Sequence, residues 1–184
     1  IAVQALELSE GDEIIVPDFT IISCAAAVIK AGCKPVFVDA DKQTWNIDTE
    51  KIEEKITGRT KAIMAVHIYG LPCEMDVIRQ IAEKYNLLII EDAAEAQGQT
   101  YKEEKCGSFG DISVFSFYPN KHITTGEGGF IATNSKRLAE KCRSIRNLCF
   151  NTERRFMHYE IGMNARMTNL QAAVGLAQLE SIEY

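Results

Sequence analysis

Short, unbroken apolar segments alternate with helical segments along most of the chain, and this alternation restricts the possible folds more than any other feature. The apolar segments predict strands at 13–16, 35–39, 61–66, 86–90, 112–115 and 129–133. The other segments predict the end of a helix at 1–8, helices at 20–30, 49–56, 75–85, 136–149 and 168–184, and a loop at 150–166. Strands separated by helices pair in parallel, so the sequence predicts an α/β fold with a mostly parallel sheet flanked by helices.

Composition limits the classes of protein to which the chain can belong. Its 184 residues, 46% hydrophobic and 25% charged, are enough for one globular domain with a real core. A net charge of −6 without a basic stripe argues against a nucleic-acid partner. No apolar run approaches the ~20 residues that span a bilayer. The six cysteines form no CxxC pair, so we expect a cytoplasmic protein with reduced thiols, in which Cys24 and Cys33 act as small core residues.

Polar side chains follow two of the predicted strands. The strand at 86–90 ends in Glu91 and Asp92, and the strand at 112–115 leads into Ser116 and Lys121. Because ligands bind at the carboxyl ends of strands in α/β sheets, one cofactor is within reach of all these groups. Pyridoxal phosphate needs an amine for its aldehyde, an acid that keeps its ring nitrogen protonated, and donors for its phosphate. Lys121, Asp92 and Ser116 supply one of each.

Simpler interpretations of these residues stay open at this point. Lys121 taken alone is a solvated loop lysine, Asp92 a turn cap, and Ser116 a strand-end hydroxyl. The chain has neither the G-x-G-x-x-G pattern of dinucleotide-binding proteins nor the G-x-x-x-x-G-K-[ST] pattern of P-loop proteins. Its three histidines are far apart, so we predict no metal site. A non-catalytic scaffold or regulator with the fold of such an enzyme is the other alternative.

Four motifs in order along the chain, EDAAEA, GSFGDISVFSF, NKHITTGEGG and GMNARMTNLQAA, resemble the DegT/DnrJ/EryC1/StrS family of pyridoxal-phosphate-dependent sugar-nucleotide aminotransferases. The resemblance implies the large domain of a fold-type I transferase, which is the aspartate aminotransferase architecture. It also implies that residues 1–184 are most of that domain. An N-terminal segment with a Gly-Thr turn and a smaller C-terminal domain, both present in the family, would then be absent from this chain.

The resemblance assigns roles to individual residues. Lys121 matches the lysine that forms the Schiff base, Asp92 the partner of the pyridine nitrogen, and Ser116 a phosphate ligand. Glu95 stands beside the ring oxygen of the cofactor, where many members have Gln or His. Asn164 matches an asparagine that reaches the phosphate of the neighbouring subunit's cofactor, which implies a homodimer with shared active sites.

Activity and substrate also follow from the resemblance. EDAAEA and RMTNLQAAVGLAQLE are most similar to the perosamine-forming branch of the family. This implies transfer of an amino group from an amino-acid donor, glutamate, to a keto-sugar nucleotide, GDP-4-keto-6-deoxymannose, for surface-glycan or secondary-metabolite sugars. UDP- and dTDP-linked keto-sugars are the alternatives. Lys121 argues against the dehydratases of the family, in which histidine replaces the lysine. Ile21 stands where an aromatic residue often stacks on the cofactor ring.

Overall fold

The computed structural model describes residues 1–182, and its centre is a sheet of six strands. In chain order the strands are β1 (Glu13–Pro17), β2 (Lys34–Val38), β3 (Thr60–Val66), β4 (Leu88–Asp92), the short hairpin strands β5 (Thr100–Tyr101) and β6 (Glu104–Lys105), β7 (Ile112–Ser116) and β8 (Gly129–Ala132). The central sheet has the order β2-β1-β3-β4-β7-β8. All its neighbours pair in parallel except β7 and β8, which are antiparallel.

Residues 1–182 form five α-helices, the first four of which pack on the sheet. They are α1 (Ala2–Ala5), α2 (Ser23–Lys30), α3 (Met75–Tyr85), α4 (Lys136–Arg146) and α5 (Asn169–Leu179), with short 3-10 turns at Thr49–Lys51, Glu53–Lys55 and Ile68–Gly70. Two helix starts have side-chain caps: Ser135 accepts the N–H of Leu138 at the start of α4, and Thr168 forms a capping box with Gln171 at the start of α5. Such caps satisfy N–H groups that the first helical turn leaves without partners.

The sheet separates two hydrophobic cores. Side chains alternate between the faces of a strand, so Ile14 and Ile15 of β1 enter opposite cores. Ile14 packs with residues of α1, α2 and α4, among them Val28 and Ile145. Ile15 packs on the other face with residues of α3, among them Ile78. The result is a three-layer arrangement with helices on both sides of the sheet, as the sequence predicts.

The structure corrects several local predictions. The segment 49–56 forms two 3-10 turns instead of one helix. The helix predicted at 20–30 begins only at Ser23, its cap position is Ile22 without a side-chain bond, and the Thr20 hydroxyl lies 3.4 Å from Cys24 Sγ. The helix predicted at 136–149 ends at Arg146, and α5 ends at Leu179, while residues 183–184 lie outside the described part of the chain. The hairpin β5–β6 was not predicted, because its strands have only two residues each.

Within residues 1–182, no helix has both the length and the apolar character needed to cross a bilayer.

The six cysteines are buried free thiols. Cys33 and Cys142 belong to the hydrophobic core, as small apolar residues do. Cys24 also belongs to this core but has polar contacts in addition, so the prediction for it was incomplete.

A buried carboxylate fixes the carboxyl end of β4. Glu91 is fully buried. It accepts hydrogen bonds from the backbone N–H groups of Gly107, Phe109 and Gly110, from the Ser113 hydroxyl and from His67 Nε2. His67 Nδ1 accepts the N–H of Cys73 at 3.1 Å, so the proton of the ring lies on Nε2 and points to Glu91. This network joins β3, β4 and the loop that precedes β7.

We predict that Glu91→Gln destabilises the protein by about 2–4 kcal/mol at neutral pH, because it leaves buried donors without an acceptor. Burial by itself raises the pKa of Glu91, but the bonds from His67, Gly107 and Phe109 outweigh it and lower the pKa overall. A lowered folded-state pKa contributes stability above the unfolded pKa of about 4.3, and this contribution is lost on acidification. The difference between Glu91→Gln and wild type should therefore shrink below about pH 4.

Urea unfolding followed by circular dichroism measures both effects. Glu104→Gln is the matched control, since the Glu104 side chain is 57% exposed and forms only a surface ion pair with Arg79. We expect this control to change stability by less than about 0.5 kcal/mol. Equal losses in the two variants, or a difference that does not depend on pH, would contradict the structural role of Glu91.

Candidate active site

A cavity of about 840 Å³ opens at the carboxyl ends of β1, β3, β4 and β7. Parallel strands present their carboxyl ends at one edge of the sheet, which is where α/β proteins bind ligands. Four of the five predicted site residues line this cavity, and so do residues that follow β1 and β3. The polar lining includes Thr20, His67, Asp92, Glu95, Ser116 and Lys121.

Asp92, the last residue of β4, presents a partly buried carboxylate to the cavity. Its Oδ1 accepts the backbone N–H of Ala94 at 3.1 Å, and its Oδ2 accepts the thiol hydrogen of Cys24 at 3.4 Å. Burial raises the pKa of Asp92 above its ordinary value, although the bonds from Ala94 and Cys24 and the charge of Lys121 act in the opposite direction. Such a carboxylate is stabilised by any cation that enters the cavity.

Lys121 and Glu95 form an ion pair across the cavity. Lys121 Nζ lies 3.1 Å from Glu95 Oε1, and the lysine side chain is only 13% exposed. Glu95 Oε2 accepts the backbone N–H of Tyr69 at 2.8 Å. Tyr69 adopts a left-handed conformation (φ 51°), and a Cβ on the next residue, Gly70, would lie 2.8 Å from the Glu95 carbonyl oxygen. This close approach requires glycine, and it brings the turn after β3 against the segment that carries Glu95.

Ser116 ends β7 and begins the loop that carries Lys121. Its hydroxyl oxygen accepts the N–H of Tyr118 at 3.1 Å, and the hydroxyl hydrogen is free to point to a ligand in the cavity. The Gln97 side chain holds this loop at two points. Its amide nitrogen donates to the Ser116 carbonyl, and its amide oxygen accepts the N–H of Ile123 at 3.0 Å.

Helix α5 holds the second half of the same loop. Gln178 accepts the N–H of Thr124 at 3.0 Å and donates to the Thr124 carbonyl at 2.6 Å. A Cβ on Gly175 would lie 2.8 Å from the Thr125 methyl group, so the helix packs closely on the loop at a glycine. The sequence predicts this helix but does not indicate that it positions the lysine loop.

Asn164 is the one predicted site residue that does not line the cavity. It is exposed, its backbone forms an isolated bridge with Asn147, and its side-chain oxygen accepts from Arg166 Nε at 3.1 Å. The expectation that Asn164 serves a neighbouring subunit stays a prediction.

Two of the aromatic residues that line the cavity were missed by the sequence analysis. Phe19 and Tyr69 line it, and Phe19 lies edge-on to Trp45 with ring centroids 4.9 Å apart. Ile21, which stands at the position often aromatic in the family, also lines the cavity and is 66% exposed. Phe19 lies two residues after β1, and this position could have identified it, because the ends of parallel strands meet at this edge.

His67, Glu91 and Cys106 lie close enough together to resemble a metal-binding group. Both ring nitrogens of His67 already take part in hydrogen bonds, one with Cys73 and one with Glu91. The two oxygens of Glu91 accept from His67 and from the backbone of the loop before β7. The ligand atoms of His67 and Glu91 therefore already form hydrogen bonds that hold the sheet and the loop together.

The residues of the cavity fit the chemistry of pyridoxal phosphate. The Lys121 amine and the Asp92 carboxylate line one cavity, and the charge of Lys121 acts on Asp92. Asp92 would hold the protonated ring nitrogen, and Lys121 would form the covalent bond to the aldehyde. The Ser116 hydroxyl is available to the phosphate, and the Glu95 carboxylate lies beside Lys121.

Curated relatives are similar over the whole chain. The chain is 50% identical over 183 residues to a GDP-perosamine synthase of Escherichia coli O157:H7 and 52% identical over 183 residues to one of Caulobacter vibrioides. These matches cover 100% of this chain and 50% and 49% of the relatives. A UDP-N-acetyl-3-dehydro-alpha-D-glucosamine 3-aminotransferase of Acidithiobacillus ferrooxidans is 43% identical over 175 residues, which are 95% of this chain and 47% of that protein. The chain thus spans about half the length of these curated relatives.

Solved structures of aminotransferases have the same fold. An aminotransferase from Psychrobacter cryohalolentis superposes with a TM-score of 0.92 at 40% identity, over 99% of this chain and 49% of that chain. The protein NtdA of Bacillus subtilis, solved with bound cofactor PMP, superposes with a TM-score of 0.87 at 39% identity, over 97% of this chain and 41% of its own. These similarities confirm the predicted fold-type I architecture. The family model of the DegT/DnrJ/EryC1/StrS aminotransferases matches residues 1–184, and the chain therefore belongs to this family, whose cofactor is pyridoxal phosphate.

Proposed function

We propose that the chain is most of the pyridoxal-phosphate-binding large domain of a longer sugar-nucleotide aminotransferase. The observation that carries the proposal is the meeting of Lys121, Asp92 and Ser116 in one cavity at the carboxyl ends of β4 and β7. An amine, a carboxylate and a hydroxyl in one cleft are the groups that this cofactor requires. Local sequence alone does not bring these three groups together, because Asp92 ends β4 whereas Ser116 and Lys121 follow from β7.

The chemistry divides between the cofactor and the protein. The bound cofactor supplies the aldehyde that carries the amino group and the ring that stores an electron pair. Asp92 would keep a proton on the ring nitrogen, and Lys121 Nζ would move a proton at the substrate carbon. The donor amino acid takes up the oxygen of one water and leaves as a keto acid, and the keto-sugar releases its carbonyl oxygen as water when it gains the amino group. Glu95 would hold Lys121 in place between these two half-reactions.

The substrate that we propose is GDP-4-keto-6-deoxymannose, with glutamate as the amino donor. The similarity to two GDP-perosamine synthases over this whole chain supports this choice. The relative that acts on a UDP-linked keto-sugar supports the alternative that the sugar is linked to another nucleotide.

We propose further that the complete enzyme is a cytoplasmic homodimer. Asn164 supports the dimer, since it is exposed and lies outside the cavity of its own chain, where a second subunit has access to it. The six buried free thiols support a reducing compartment. Cross-linking and light scattering of the complete enzyme test the oligomeric state.

We predict that Lys121→Ala in the complete enzyme lowers aminotransfer at least about 10³-fold, because it removes both the covalent anchor and the proton carrier. Borohydride reduction of the wild-type protein with pyridoxal phosphate, followed by peptide mapping, should place the pyridoxyl group on Lys121. Lys102→Ala is the control, since Lys102 lies on the exposed hairpin and pairs with Asp76. Full turnover in Lys121→Ala, or a label on another lysine, would refute the assignment and favour a non-catalytic scaffold.

We predict that Glu95→Gln and Glu95→Ala differ. Gln keeps one acceptor oxygen for the Tyr69 N–H and loses only the acceptor for Lys121, so cofactor binding should change by less than about threefold. Ala removes both contacts, and cofactor affinity should fall about tenfold or more. Absorbance titration of each variant with pyridoxal phosphate measures the affinities. Equal affinities in the two variants would show that Glu95 does not organise the site.

We predict that the complete enzyme prefers the GDP-linked keto-sugar over UDP- and dTDP-linked keto-sugars by at least about tenfold in kcat/KM, which is a modest degree of discrimination for a binding pocket. Coupled assays with glutamate as the donor measure the three values. A higher kcat/KM for the UDP- or dTDP-linked sugar would reject the proposed substrate while leaving the aminotransferase chemistry intact.

A further inference from the structure

Cys24 lies directly beside the carboxylate of Asp92. It is the second residue of α2 and is 3% exposed. Its Sγ lies 3.4 Å from Asp92 Oδ2 and 3.4 Å from Thr20 Oγ1. Cys24 and Asp92 are 68 positions apart in the sequence, so the fold alone brings the thiol to the carboxylate.

The direction of these two bonds follows from the chemistry of the groups. An ionised carboxylate only accepts, so the Cys24 thiol donates its hydrogen to Asp92. The sulfur can then accept the hydroxyl hydrogen of Thr20. Burial, together with the charge of Asp92, raises the pKa of Cys24 to about 12, so the thiol keeps its proton at neutral pH.

The bond from Cys24 gives the second oxygen of the Asp92 carboxylate a protein donor. Oδ1 accepts the backbone N–H of Ala94, and Oδ2 accepts the Cys24 thiol. With one donor on each oxygen the carboxylate cannot rotate freely, and its other lone pairs are available to the cavity that Asp92 lines. We propose that Cys24, fixed by Thr20, is a positioning residue that orients Asp92 toward the ring nitrogen of pyridoxal phosphate. This inference rests on the proposed function.

Two other cysteines of the same core show what a purely apolar role looks like. Cys33 and Cys142 are buried in the core cluster to which Cys24 also belongs. Across residues 1–182, neither of them has a side-chain hydrogen bond of the kind that Cys24 makes. Cys33 lies close to α2 in sequence and is therefore a matched control for the loss of a buried thiol.

The test uses the complete enzyme and three variants: Cys24→Ala, Cys24→Ser and Cys33→Ala. The ligand is pyridoxamine 5′-phosphate, because it binds without a covalent bond to Lys121. Cys24→Ala should weaken its binding about threefold to tenfold, the effect of one lost hydrogen bond of ordinary strength, because the thiol is a weak donor. Cys24→Ser keeps a donor and should restore the affinity to within about twofold of wild type, while Cys33→Ala should leave it unchanged. Thermal unfolding of all variants identifies losses that come from folding.

A second readout needs no cofactor. The infrared S–H stretching band of Cys24 is obtained as the difference between wild type and Cys24→Ser. A donor bond to a carboxylate shifts this band to lower frequency, and Asp92→Asn should move it back because a neutral amide is a weaker acceptor. This measurement stays informative if Cys24→Ala folds poorly.

Two results would overturn the inference. One is equal affinity of Cys24→Ala and Cys33→Ala for pyridoxamine 5′-phosphate, and the other is a Cys24 band that does not change in Asp92→Asn. Failure of the proposed function has a different signature, since the wild-type enzyme would then carry no pyridoxyl group on Lys121 after reduction. In that case the infrared comparison still decides whether Cys24 holds Asp92.

Discussion

The buried carboxylate of Glu91 is the interaction on which the site depends. Neighbouring residues of a strand project to opposite faces, so the contacts that hold Glu91 on one side of the sheet also fix Asp92 on the other. His67 donates to Glu91 and is also among the residues that line the cavity. The Glu91 network therefore fixes the backbone position of Asp92, the predicted cofactor partner.

The loop that carries Lys121 has no regular structure between Phe117 and Gly128. Backbone groups in such a loop need partners that a helix or a sheet would otherwise provide. The side-chain amides of Gln97 and Gln178 supply these partners, because each amide both donates and accepts. One of them lies close to β4 and the other on α5, so the lysine is held by two segments far apart in the chain.

The sequence predicts those features that depend on local pattern. The alternation of apolar and helical segments gives the sheet, and the ends of two strands give Asp92, Ser116 and Lys121. Contacts between distant residues leave no such pattern, which is why the pairing of Glu95 with Lys121 and the contact of Cys24 with Asp92 were not found. The helix prediction for 49–56 failed for a related reason. The apolar spacing suits a helix, but the segment forms two short 3-10 turns on either side of Ile52, which is buried in the core.

Glu91 and Asp92 are adjacent carboxylates whose pKa values move in opposite directions because their surroundings differ. Donors on both oxygens outweigh burial at Glu91, which is thus an anion that holds the fold. Burial is the larger effect at Asp92, which has only one backbone donor and one thiol donor. A cation beside Asp92 would offset this cost of burial, and a ligand that supplies one binds the folded state more tightly than the unfolded chain. The proposed pairing of Asp92 with a protonated ring nitrogen would therefore offset a cost of burial that the hydrogen bonds of Asp92 leave uncompensated.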